Sequence, residues 1–68
     1  MNIAEVKANL NRNVRLEIPI HNIDAEYKLS GCVIRRNESG DFFYQAELQD
    51  LNNGSIVIAA LENVNTIK

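Results

Sequence analysis

The spacing of apolar residues changes once along the chain, from a helical period to a period of two. Ile3, Val6 and Leu10 share one face while Glu5, Lys7 and Asn9 lie elsewhere, which predicts a short helix over Ile3 to Leu10. Asn2 suits the N-cap, and Glu5 three residues later completes a capping box and places its charge at the helix start. Two turns are too few to be stable alone, so the apolar stripe must dock on something. Asn9, Asn11 and Asn13 mark the end of the helix.

From Val14 the alternation is strict: Val14, Leu16, Ile18 and Ile20 against Asn13, Arg15, Glu17 and Pro19. Pro19 cannot donate to a ladder, so it puts the end of this first strand at an edge or a bulge. His21 to Asp24 read as a loop. A second strand is predicted from Ala25 to Arg36, with Tyr27, Leu29, Gly31 and Val33 on one face and Lys28, Ser30, Cys32 and Ile34 on the other. Gly31 in its middle invites a bulge or a strong bend. Asn37 to Asp41 form a hairpin loop, and Phe42 to Leu51 a third strand with Phe42, Tyr44, Ala46 and Leu48 on one face. Asn53-Gly54 predicts a tight type I′ turn, whose two central residues both need positive φ. Ser55 to Ala60, almost wholly apolar, reads as a fourth strand covered on both faces. A helical turn from Leu61 and a brief fifth strand over Val64 to Ile67 complete the chain. The fold class that follows is mainly β: a short N-terminal helix in residues 1–11, then a five-stranded antiparallel, strongly bent small barrel in residues 12–68, together one domain.

Composition narrows the means of stabilising so small a fold. At 68 residues the margin between apolar burial and chain entropy is thin, and small domains close it with disulfides, a metal or self-association. Cys32 is the one cysteine and His21 the one histidine, so neither an internal disulfide nor a zinc cluster can form, and self-association stays open. The opening residues lack the apolar run of a signal peptide, and no 18 consecutive apolar residues occur. A soluble protein of a reducing, cytoplasmic compartment with no membrane partner is the expectation. The formal charge is −2, but residues 1–36 carry a net +2 and residues 37–68 a net −4, an asymmetry that interleaved strands can erase at the surface.

The order helix, strand, long hairpin, tight hairpin, turn and final strand resembles the small five-stranded barrels, the Src-homology-3-like and Sm-like folds. Within that group the helix at Ile3 to Leu10, the stretch Tyr27-Lys28-Leu29-Ser30-Gly31-Cys32-Val33 and the tail Ile58 to Ile67 look like the Sm-like proteins, which include the Hfq-type RNA chaperones. That resemblance implies an RNA-binding barrel. Arg35-Arg36-Asn37 followed by Phe42 to Leu48 is also similar to small uncharacterised proteins carried by bacterial phages and conjugative elements of Firmicutes, commonly binders rather than enzymes.

The side chains with chemistry to offer are scattered. His21 has no visible nucleophile or orienting partner, and reads as an exposed loop residue rather than a general base or a ligand. Cys32 reads as a small apolar packing group, since Lys28 is too far along an extended strand to activate a thiol. Lys28, Arg35 and Arg36, with Arg12 and Arg15, make a candidate basic strip beside Phe43 for single-stranded nucleic acid, opposed by Glu38, Asp41 and Glu47. Ile34 and Phe43, with Cys32, fall on the face that alternation gives to solvent. They mark either a protein contact or the seat of the helix. No phosphate loop, nucleophile triad or metal spacing is present, so neither catalysis nor a cofactor is expected. The expected function is a noncatalytic protein-interaction or regulatory module, with self-association open to it, acting through Ile34, Phe43 and Cys32 or an open sheet edge; the alternative is an Sm-like binder of RNA or single-stranded DNA through Lys28, Arg35 and Arg36.

Overall fold

The computed structural model describes residues 1–67; Lys68, the last residue of the expected domain, lies outside the described residues. Helix α1 (Ile3–Asn9) is followed by strands β1 (Asn13–Ile18), β2 (Ile23–Arg36), β3 (Phe42–Asp50), β4 (Ile56–Ala60) and β5 (Val64–Thr66). Its start is held by the expected capping box: Asn2 Oδ1 accepts from Glu5 N at 2.8 Å, and Glu5 Oε1 accepts from Asn2 N at 3.1 Å. After the helix, Asn11 takes a left-handed φ of 65° and turns the chain into the sheet. There Asn11 N donates to Leu29 O, and Leu29 N to Arg12 O, so β2 gains partners before β1 formally begins.

The five strands form one antiparallel sheet in the order β4-β3-β2-β1-β5. Inward-facing residues from every strand, Val14, Leu16, Leu29, Ala46, Leu48, Ala59 and Val64, make the core. Val6 of α1 is buried among them, which is the docking its apolar stripe requires. Met1, Ile18, Tyr27, Val57 and Leu61 pack around this cluster.

The sheet curls without closing. Ala60 and Val64, at the two edges, are joined only by the 3-10 turn Leu61–Asn63, and four residues span at most about 14 Å. Five flat strands would set their edges about 19 Å apart, at roughly 4.8 Å per step. Strong curvature is therefore forced, as the sequence predicts, but β4 and β5 share no ladder, and the expected barrel stays open between them. Part of the bend arises in β2, where the register passes from Leu29 opposite Leu48 to Gly31 opposite Glu47, leaving Ser30 as the extra residue of a bulge. The Ser30 hydroxyl lies 3.1 Å from the Glu47 carbonyl and 2.9 Å from Glu47 Oε2, fastening the bulge to β3.

Three local expectations change. Pro19 opens a 3-10 turn, Pro19–His21, closed by Asn22 at φ 54°, so β1 stops at Ile18. The β3–β4 connection is not a type I′ turn, because Gly54 has positive φ and Asn53 does not. Asp50 decides this: its Oδ1 accepts from Asn52 N and Asn53 N, winding Leu51–Asn53 into a turn that ends when Gly54 N donates to Asp50 O. Finally, β4 is an edge strand covered on one face only, and Ile56 and Ile58 stand exposed.

Candidate functional site

The strands differ in length, and that difference makes the site. β1 pairs with β2 only as far as Lys28, and β4 pairs with β3 only from Gln45 to Gln49. Beyond those limits, Val33–Arg36 and Phe42–Gln45 have only each other as sheet neighbours, save for Gln45 itself. The β2–β3 hairpin therefore leaves the sheet as a two-stranded ribbon. Its tip is tied by Asn37 Oδ1, which accepts from Asp41 N, by Gly40 at φ 87°, and by Arg36 Nε, which donates to the Gly40 carbonyl.

On the inner face of this ribbon stand Cys32, Ile34 and Arg36 of β2, opposite Ala46, Tyr44 and Phe42 of β3. Ile34 is 61% exposed, Phe42 69% and Tyr44 43%. Helix α1 crosses the same face nearer the core and leaves a groove of about 370 Å³ between itself and the ribbon. Ile3, Val6 and Leu10 form one wall, with Cys32, Ile34 and Tyr44 as the other. Lys7 is the one charged residue lining it, and the Arg36 guanidinium, 6.0 Å from the Phe42 ring centre, sits one step outward from Ile34. What the arrangement offers is an apolar slot with one cation, Lys7, in its lining, while the Arg36 head group is held at the hairpin tip by the Gly40 carbonyl.

The bulge redistributes the residues singled out in the sequence. Unbroken alternation puts Cys32 and Ile34 on the face opposite Leu29; the extra residue at Ser30 shifts the phase and returns both to the inner face. Phe43 stays on the outer face, opposite Arg35, so Ile34 and Phe43 do not pair across the hairpin. Nor does the helix cover Ile34, although both meet in the same groove. Cys32 is exposed, not packed away as a small apolar group. The partners that alternation leaves out are Tyr44 and Lys7; the Ser30-Gly31 pair is the signal that could have found them.

The basic residues do not converge. Arg35 points to the outer face and Arg36 to the inner one. Lys28 shares the outer face with Arg35 but lies seven residues back along β2, about 20 Å at strand spacing. Arg15 is engaged with Asp24 at 2.9 Å, and Arg12 lies in the connection before β1. His21 is exposed in the Pro19–His21 turn. A second concavity of about 310 Å³ beside that turn is lined by Glu17, Pro19, Asn22, Ile23 and Asp24. Among the described residues no three His, Cys, Asp or Glu side chains are grouped to hold a metal, and no helix is long and apolar enough to cross a membrane.

No family model matches the chain, and neither a curated protein nor a solved structure matches it.

Proposed function

We propose that the chain is a noncatalytic protein-interaction module that takes a segment of another protein into the groove between α1 and the β2–β3 ribbon. The observation that carries this reading is the groove itself, whose two walls present Ile3 and Leu10 against Ile34 and Tyr44, all exposed. Burying one partner side chain of leucine or phenylalanine size there contributes roughly 1.5–3 kcal/mol. Lys7 in the groove lining favours a segment whose apolar anchor is flanked by a carboxylate. The dispersal of Lys28, Arg35 and Arg36 favours this reading over a nucleic-acid backbone, which needs its cations along one track. The exposed thiol of Cys32 suits a reducing cytoplasm.

Selection from a random peptide display library tests the reading without requiring the partner to be identified first. The expected peptides carry an apolar residue beside Asp or Glu, bind more weakly as salt is raised, and lose at least about tenfold in affinity against Ile34→Glu. Absence of enrichment, or peptides indifferent to that substitution, overturns it.

A further inference from the structure

Away from the groove, on the opposite face and at the sheet edge, β4 presents a second surface. Its outer positions are Ile56 and Ile58, 52% and 40% exposed, followed by Ala60. The strand Ile56–Ala60 contains no charge and no proline, and among the described residues its far edge has no partner strand. Proteins ordinarily guard such an edge with lysine, proline, a bulge or a covering element, because unpaired backbone groups template further pairing. Among the described residues β4 carries no lysine, proline or bulge.

We propose that β4 pairs antiparallel with β4 of a second copy of this chain, about a two-fold axis at Ile58, extending two five-stranded sheets into one of ten strands. Three features select this occupant. The first is charge: a strand without charges meets itself without repulsion, whatever the chain's net charge. Volume is the second. Centred on Ile58, Ile56 falls opposite Ala60 and Val57 opposite Ala59 of the other copy, so each large side chain meets a small one and Ile58 meets its own copy. Such reciprocity is what a two-fold interface demands. The third is the alternative edge. β5 is three residues long, and its outward residue, Asn65, donates to Glu17 Oε1 at 3.2 Å beside Arg15. Joining β4 to β5 of a neighbour would set Ile58 against that polar cluster. Joining β4 to β4 continues the apolar stripe from one copy into the next.

The pairing leaves the groove free, so it stands or falls separately from the peptide reading. It contributes main-chain hydrogen bonds and little area, which places it among weak, concentration-dependent dimers.

Two measurements test it on the full chain. Light scattering coupled to size exclusion should show the mass rising toward twice the monomer value with concentration, and Ile58→Lys should remain monomeric throughout with an unchanged far-ultraviolet circular dichroism spectrum. In a Cys32→Ser background, Ile58→Cys should cross-link to its own copy on mild oxidation, because directly opposed residues lie about 4.5–5.5 Å apart, within disulfide reach. Ile56→Cys, opposed by Ala60, should cross-link at least about tenfold more slowly, since its own copy lies out of that reach. A monomer at all concentrations, a ring-sized assembly, or equal cross-linking at both positions overturns the proposal.

Discussion

The inner face of β2 and β3 is one continuous surface, yet its two ends behave oppositely. At the sheet end Leu29 and Leu48 face each other with no exposure at all; at the ribbon end Ile34 and Tyr44 face each other and stay exposed. Hydrophobicity and pairing geometry are similar at both ends. What differs is the number of flanking strands. Leu48 lies between Leu29 and Val57, with β1 beyond, whereas Ile34 and Tyr44 have no third strand and only the flank of α1. Alternation tells which face a residue takes; strand length tells whether anything covers it.

The largest effect that could break this comparison is a matched pair of truncations. Leu48→Ala should cost about 2–5 kcal/mol, the usual range for a buried leucine, and Ile34→Ala within about 0.5 kcal/mol of nothing, as for an exposed site. Urea midpoints for the two variants decide it. Near-equal losses would mean that the ribbon end is as firmly packed as the core.

A smaller effect asks how far α1 belongs to each end. Val6 anchors the helix in the core while Ile3 and Leu10 look onto the groove. Asn2→Ala removes the N-cap and should cost about 0.5–2 kcal/mol. Hydrogen exchange should rise in α1 and remain unchanged around Leu29 and Leu48, because the ladder there does not depend on the helix end. A uniform rise across the sheet would show instead that helix and sheet open as one unit.

Much of this architecture was legible in the residues. The capping box of Asn2 and Glu5, the alternation of Val14 to Ile18 and the break in β2 beside Gly31 are local, and local chemistry decides them. Ile34 was recognisable as a surface candidate, whereas the exposure of Cys32 ran against its reading as a packed apolar group. The groove was not, because it depends on a phase shift of one residue at Ser30, and periodicity counts through a bulge as if it were absent. The Asn53-Gly54 turn failed for a different reason: Asp50, just ahead of the loop, captures two backbone N–H groups and makes a longer turn cheaper than a tight one. An edge position is equally invisible, since five apolar residues such as Ile56–Ala60 read alike in a central strand and at an open edge.

The smallest effect sharpens where the two ends meet. Gln45 is the last β3 residue with neighbours on both sides, Val33 of β2 and Ala60 of β4, and it marks the boundary between sheet and ribbon. Its Oε1 is buried and has no hydrogen-bond partner among the described residues. A buried acceptor left unpaired costs about 1–3 kcal/mol, whereas an apolar group of the same shape carries no such penalty. Gln45→Met keeps the length of the side chain and removes the polar head, so it should be neutral or stabilising by up to about 1 kcal/mol in the thermal or urea midpoint. Destabilisation beyond about 1 kcal/mol would mean that the amide is hydrated, and that water enters the outer face one residue deeper than the ladder of β4 suggests.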